Sequence, residues 1–135
     1  MENKKILVVD DEQDMRIFLS TVVETLGFEP IVAKDGVEAL EKARSNPPAL
    51  VILDVMMPNI DDGIQTYRQF RTDPSLAHIP IIMLSAIARK TFLHSIKMLS
   101  PRQGPQLPDP EAYMEKPPDA NELSRLITDL LSVDS

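Results

Sequence analysis

Three aspartates stand where carboxylates can work together. Asp10 and Asp11 directly follow the apolar run Ile6-Leu7-Val8-Val9, and Asp54 ends a second run, Leu50-Val51-Ile52-Leu53. If both runs are parallel strands of one sheet, the three carboxylates gather at the same edge. Like charges held that close resist joint ionisation. A divalent cation relieves the conflict, and oxygen-only ligands favour Mg2+ or a similar hard ion. Ser85 and Lys116 also fall at or just after the ends of strand-like segments. Each residue has a plainer use on its own. Asp10-Asp11 can form a turn and a helix N-cap, with Asp11 as cap and ligand at once. Lys116 can be a solvated surface lysine and Ser85 a turn residue. Taken as a set at strand ends, they favour a reactive acidic pocket.

The pocket needs a sheet to build it. Residues 5–9 form a short continuous apolar run, as expected of a strand buried on both faces. Met15, Phe18, Leu19, Val22, Val23 and Leu26 then recur at helical spacing, and Gly27 supplies a C-cap. Residues 29–33 read as a second strand, placed at an edge by Pro30. Asp35-Gly36 opens a helix carrying Val37, Leu40 and Ala43, with Pro47-Pro48 beyond its end. Residues 50–53 are the third strand, and 63–71 a helix with Ile64, Tyr67 and Phe70 on one side. Residues 80–84 are the fourth strand, and 87–99 a helix whose apolar residues nearly encircle it. A short fifth strand is expected over 112–115. The last helix starts at Asp119, where Asp119 and Glu122 suit a capping box, and its stripe is Leu123, Leu126, Ile127, Leu130 and Leu131. Alternating strands and helices with short links predict a parallel sheet with helices on both faces. Ligands of such sheets bind beyond the carboxyl ends of the strands, at a switch point.

Composition narrows the function classes. The chain has 135 residues, enough for one domain with a sound core. Its net charge of −7 disfavours direct binding to nucleic-acid phosphates. No stretch is long and apolar enough to cross a membrane, the N-terminus lacks a signal-peptide pattern, and there is no Cys for disulfide or thiol chemistry. A cytoplasmic location fits. Aromatics are scarce, so the core draws on Ile, Leu, Val, Ala and Met, with the seven Met residues read as core fillers. Of the twelve Pro residues, four fall between Pro101 and Pro110, in a segment that breaks regular structure.

Five segments in order resemble the receiver domain of response regulators, the phosphoaccepting half of two-component signalling. They are Ile6-Leu7-Val8-Val9-Asp10-Asp11-Glu12, Ala33-Lys34-Asp35-Gly36-Val37-Glu38-Ala39-Leu40, Asp54-Val55-Met56-Met57-Pro58, Pro80-Ile81-Ile82-Met83-Leu84-Ser85-Ala86 and Tyr113-Met114-Glu115-Lys116-Pro117. The resemblance implies a flavodoxin-like α/β fold, a five-stranded parallel sheet in the order 2-1-3-4-5, with residues 1–135 as a single receiver domain. It implies Asp54 as the phosphoacceptor. Asp11 and Asp54 are then direct Mg2+ ligands, Asp10 acts through a water, and the Met56 backbone carbonyl completes the protein ligands. Lys116 places an ammonium on a phosphoryl oxygen, and Ser85 hydrogen-bonds another after phosphorylation. Tyr113 matches the family's switch aromatic; its plainer reading is a half-buried strand tyrosine with a wet hydroxyl. The family's lysine-proline step is usually cis, although trans is the general default for a residue such as Pro117. The donor is a sensor histidine kinase or phosphotransfer protein. The partner surface is the family's fourth-helix, fifth-strand, fifth-helix face.

The chain departs from the family in two places. After Pro58 it reads Asn59-Ile60-Asp61-Asp62-Gly63, one residue longer than usual, so a bulge beside the acceptor is expected and Asp61-Asp62 read as a solvated loop. Ser85 and Lys116 are separated by roughly nine residues more than family habit, and loops this long in a compact domain are often functional. The excess lies around Pro101 to Pro110, in an irregular segment at about 100–111. The apolar girth of Ile87, Phe92, Leu93, Ile96, Met98 and Leu99 fits burial under that segment or a partner groove. Met56 and Ile87 occupy the positions that tune water access to the acyl phosphate in the family, and their bulk predicts slow self-dephosphorylation. His78 and His94, the only histidines, are expected to be structural or surface residues.

Three other functions compete with a phosphorylation switch. A Mg2+-dependent aspartyl phosphohydrolase resembling the haloacid dehalogenase type needs a second aspartate two residues after the nucleophile, where Met56 stands. A flavin or nucleotide binder needs a Gly-rich or Ser/Thr-rich phosphate loop after the first strand, where Asp10-Asp11-Glu12 repels phosphate. A degenerate receiver serving as a scaffold is disfavoured because every reactive position holds a competent residue. The reading is therefore a switch and not a turnover enzyme.

Overall fold

The computed structural model of the chain describes residues 4–56, 60–86, 88, 90–91, 94 and 108–132. Five strands form one parallel sheet: β1 (Lys5–Val9), β2 (Glu29–Ala33), β3 (Leu50–Asp54), β4 (Ile81–Ser85) and β5 (Ala112–Glu115), in the order β2-β1-β3-β4-β5. Four helices are described between and after them: α1 (Gln13–Thr25), α2 (Gly36–Ser45), α3 (Ile60–Thr72) and α4 (Ala120–Ser132). Here α4 is the fifth helical segment of the sequence. Of the one expected over 87–99, residues 90, 91 and 94 are helical and most of the rest lies outside the described residues, as do 101–107 of the Pro-rich segment.

The central strands are buried on both faces, so their sequences are continuously apolar and not alternating. Leu7, Val9, Val51, Leu53, Ile81 and Met83 join Ala39, Leu40, Ala43, Ile64, Tyr67 and Phe70 in the core under α2 and α3. Ile6, Val8, Leu50, Ile52, Ile82, Leu84 and Met114 pack with Leu19, Val22, Val23, Leu123, Ile127 and Leu131 under α1 and α4. Phe18 and Val37 depart from their expected place in the helical stripes, being 36% and 70% exposed. At 3.6 residues per turn, each stands a quarter-turn or more from the centre of its helix's buried face.

The ends of the helices follow local chemistry. Gly27 adopts φ +90, a conformation glycine enters without side-chain strain, and closes α1. Asp35 caps α2 by accepting from the Glu38 N–H at 2.8 Å, while the Glu38 carboxylate reaches back to the Lys34 N–H at 2.9 Å. Asp119 accepts from the Glu122 N–H at 2.9 Å at the start of α4. Two expectations are corrected. Helix α3 begins at Ile60, not at Gly63, so 61 and 62 are helical and not loop. The earlier start is possible because Gly63 packs its bare Cα against the Val55 backbone, where a Cβ would lie 1.8 Å from the carbonyl oxygen. The second concerns Asp11, which is not a helix cap: Glu12 occupies that position and makes no side-chain capping bond. The bulge expected near Pro58 falls on residues 57–59, outside those described.

Candidate functional site

All five strands run the same way, so their carboxyl ends form one edge. Asp10 follows β1, Asp54 ends β3, Ser85 ends β4 and Lys116 follows β5. Backbone hydrogen bonds hold these ends together. The Asp10 N–H donates to the Ala33 carbonyl at 3.1 Å, the Val55 N–H to Leu84 at 3.0 Å, and the Lys116 N–H to Ser85 at 2.7 Å. Because β1 and β3 are neighbours with crossovers leaving to opposite sides, this edge is the sheet's switch point.

Asp10 and Asp54 are both buried, at 0% and 1% exposure. The Lys116 ammonium lies 3.2 Å from an Asp10 oxygen and 3.3 Å from an Asp54 oxygen, bridging the two carboxylates. Asp10 also accepts from the Glu12 N–H at 2.9 Å, and Asp54 from the Met56 N–H at 3.1 Å. Burial first and the charge of Asp10 second push the Asp54 carboxyl up, to about 6 against the opposing pull of Lys116 and the Met56 N–H. Asp10 is raised as well, by burial, against the pull of the Glu12 bond and Lys116. Burial acts to lower the Lys116 ammonium, but the two aspartates outweigh it and raise its pKa.

Asp11 is exposed at the mouth of the site. Asp10, Asp11 and Glu12 offer carboxylate oxygens that lie within 4.8 Å of one another. This set of hard oxygens, beside an aspartate whose ionisation is held back by burial and by a like charge, fits a divalent cation such as Mg2+. Glu12 was not among the metal or catalytic residues expected from the sequence; besides joining this cluster, it lies 3.7 Å from the Lys116 ammonium. Arg16 is a second addition, its guanidinium donating to the Asp10 carbonyl at 2.7 Å from the first turn of α1. The adjacency of Glu12 to Asp10-Asp11 was the only sign of it in the sequence, and Arg16 had none.

Ser85 is fully buried at the end of β4, not in a turn. Its side chain hydrogen-bonds the Tyr113 hydroxyl, so that hydroxyl is not simply wet; burial raises the Tyr113 pKa, and the Ser85 bond opposes the rise. Met56 is 37% exposed beside Asp54. The Lys116-Pro117 bond is cis. Asp62 is exposed on α3, and His78 and His94 are exposed.

The chain matches the family model described as the response regulator receiver domain over residues 6–99. It is 46% identical over 84 residues to the alkaline phosphatase synthesis transcriptional regulatory protein PhoP of Bacillus subtilis, a match covering 62% of this chain and 34% of PhoP. The chain thus spans about a third of the length of PhoP and of the similar ycf27 regulators. It is 33% identical over 117 residues to the polar-differentiation response regulator DivK of Brucella anthropi, covering 87% of this chain and 86% of DivK. Among solved structures, the chemotaxis protein CheY4 of Vibrio cholerae superposes with a TM-score of 0.80 at 25% identity, covering 96% of this chain and all of that one (100%). The receiver domain of the Francisella response regulator 1452 gives 0.78 at 28% identity, covering 98% and 100%.

Proposed function

Because this chain belongs to the response regulator receiver family of two-component signalling, we propose that Asp54 is its phosphoacceptor, within a single receiver domain spanning residues 1–135. The observation that carries the reading is the buried Asp10–Asp54 pair bridged by Lys116 at the carboxyl edge of the sheet. Asp10, Asp11, Asp54 and the Met56 carbonyl hold Mg2+ in this reading, and Glu12 adds a further carboxylate at the rim. When bound, Mg2+ neutralises charge that builds between the acceptor and the phosphoryl oxygens.

Receiver domains take phosphoryl groups from histidine kinases or phosphotransfer proteins, and a phosphohistidine is the donor here. An Asp54 carboxylate oxygen forms the new bond to phosphorus as the phosphorus–nitrogen bond of the donor breaks, its electron pair returning to the imidazole. Phosphoryl transfer is mostly positioning and charge stabilisation. Lys116 supplies a fixed cation for one phosphoryl oxygen and Ser85 a hydroxyl donor for another. The domain acts as a switch and not as a turnover enzyme, since Met56 stands where an aspartyl phosphohydrolase needs its second acid. Exposed and apolar beside the acceptor, Met56 offers water no proton acceptor, which supports a long-lived acyl phosphate. The switch works in the cytoplasm and signals to a protein partner through β5 and the helical segments on either side of it.

Incubation with Mg2+ and acetyl phosphate, followed by intact mass measurement, tests the assignment. One phosphoryl adduct is expected on the wild type and none on Asp54→Asn. Equal labelling of both proteins, or steady turnover of assorted phosphate esters, overturns it.

A further inference from the structure

The long connection into β5 raises a question of register. Residues 86–111 link β4 to β5 and include the Pro-rich segment. Tight turns fix strand register by their geometry; a connection this long does not. Yet β5 carries two working residues. Met83 stands opposite Tyr113 and Ser85 opposite Glu115, with Lys116 next in line. A slip of one residue turns a strand's side chains to the other face, which would part Tyr113 from Ser85 and withdraw Lys116 from Asp54.

A second feature sits at the far end of the same ladder. Glu111, the residue before β5, accepts from the Ile81 N–H at 2.7 Å with the carboxylate oxygen that also takes Arg71 Nη2. The Arg71 side chain is only 5% exposed. Its Nη1 donates to the Ala77 and Ile79 carbonyls at 3.3 and 3.1 Å, and its Nε to the Tyr67 hydroxyl at 3.1 Å. That hydroxyl donates in turn to the Pro108 carbonyl. One guanidinium therefore ties the end of α3 to the approach to β4 and, through Tyr67 and Glu111, to residues 108–111, where the chain enters β5. The planar fork of arginine suits this many fixed acceptors, and a lysine ammonium does not.

We propose that Arg71 is a positioning residue for phosphotransfer: with Glu111 it locks the β4–β5 register from the end opposite the site, so that Tyr113 meets Ser85 and Lys116 meets Asp54. The proposal rests on Asp54 being the phosphoacceptor. It assigns a role at the site to a pair that touches neither phosphate nor metal.

The test compares wild type, Arg71→Lys, Glu111→Gln and a core variant remote from the clamp, Leu131→Ala. The folded fraction of each is measured by circular dichroism, Mg2+ affinity by calorimetry, and the rate of acetyl-phosphate labelling at saturating Mg2+ is divided by the folded fraction. Misplacement of a reacting group by about 1 Å costs up to about a hundredfold. The labelling rate per folded molecule is therefore expected to fall tenfold or more in Arg71→Lys and by a smaller factor in Glu111→Gln, which keeps an acceptor for Ile81. Mg2+ affinity, which draws on the β1 carboxylates as well as Asp54, is not lost and tightens if Lys116 withdraws from the carboxylates it bridges. Leu131→Ala loses stability but keeps its rate per folded molecule. An unchanged rate in both clamp variants overturns the proposal, as does a parallel loss of rate and Mg2+ affinity. If Arg71→Lys does not fold, Glu111→Gln decides alone. Failure of the wild type to label refutes the phosphoacceptor reading itself, a result distinct from either outcome.

Discussion

At the scale of single residues, the proposed mechanism has two cations competing for the same carboxylates. Lys116 bridges Asp10 and Asp54 in this structure, and the Mg2+ of the proposed mechanism draws on those two groups as well. Lys116→Met therefore separates its two effects. Removing the ammonium is expected to tighten Mg2+ binding, seen by calorimetry, and to slow labelling of Asp54 by about a hundredfold to a thousandfold, the usual loss of one preorganised charge-stabilising donor. Weaker Mg2+ binding together with an unchanged rate contradicts both halves. The acid pair also imposes a pH dependence on the metal-free protein. Burial first and Asp10 second push the Asp54 carboxyl from 3.8 up to about 6. Between those values the folded state holds this proton more tightly than the unfolded chain, so the Asp54 contribution to stability falls as pH rises through the window. In chelator, the denaturant midpoint of Asp54→Asn is expected to gain on that of wild type between about pH 4 and about pH 7. Saturating Mg2+ should close the gap near pH 7. A gap that shrinks with rising pH in chelator contradicts the assignment.

At the scale of elements, two glycines with crowded Cα positions lead to opposite expectations. A Cβ on Gly63 would lie 1.8 Å from the Val55 backbone oxygen, and backbone at the end of β3 has nowhere to go without moving Asp54. Gly63→Ala should therefore cost about 1–3 kcal/mol, the range for overpacking a close contact, and slow labelling as well. At Gly36 the nearest atom is the Thr66 hydroxyl oxygen, 2.1 Å away, the end of a side chain with rotamers to choose from. Gly36→Ala should cost less, as read by denaturant unfolding; an equal cost at both sites contradicts the distinction. The elements themselves were largely legible in the sequence. The runs of the three central strands, buried on both faces, leave no other pattern, and β2 and β5 at the edges were legible from the Gly, Pro and Asp around them; all five matched to within a residue at each end. Asp54, Ser85 and Lys116 were legible as residues at strand ends. What the sequence hid is contact across distance. Arg71 and Glu111 lie forty residues apart (|i−j| = 40) and share no periodicity, and the start of α3 depended on how closely Gly63 approaches a neighbouring strand.

At the scale of the whole molecule, a change at the acceptor must reach a surface, and the described residues hold one short route. The Ser85 hydroxyl, buried beside the acceptor, is bonded to Tyr113 on the edge strand β5. In the proposed switch, a phosphoryl oxygen on Asp54 that takes the single Ser85 proton ends a bond in which Ser85 donates to the tyrosine, and the two arrangements would form a two-state element biased by phosphorylation. The composition makes this directly observable. The chain has no Trp and only two Tyr, and the other, Tyr67, is held between Arg71 and the Pro108 carbonyl on the clamp. Phosphorylation is therefore expected to change tyrosine absorbance and fluorescence through Tyr113 alone. The change should appear in wild type and in Tyr67→Phe, and be lost in Tyr113→Phe and in Asp54→Asn. A full signal in a labelled Tyr113→Phe protein would mean that the switch bypasses Ser85 and Tyr113 and reaches the surface by another path.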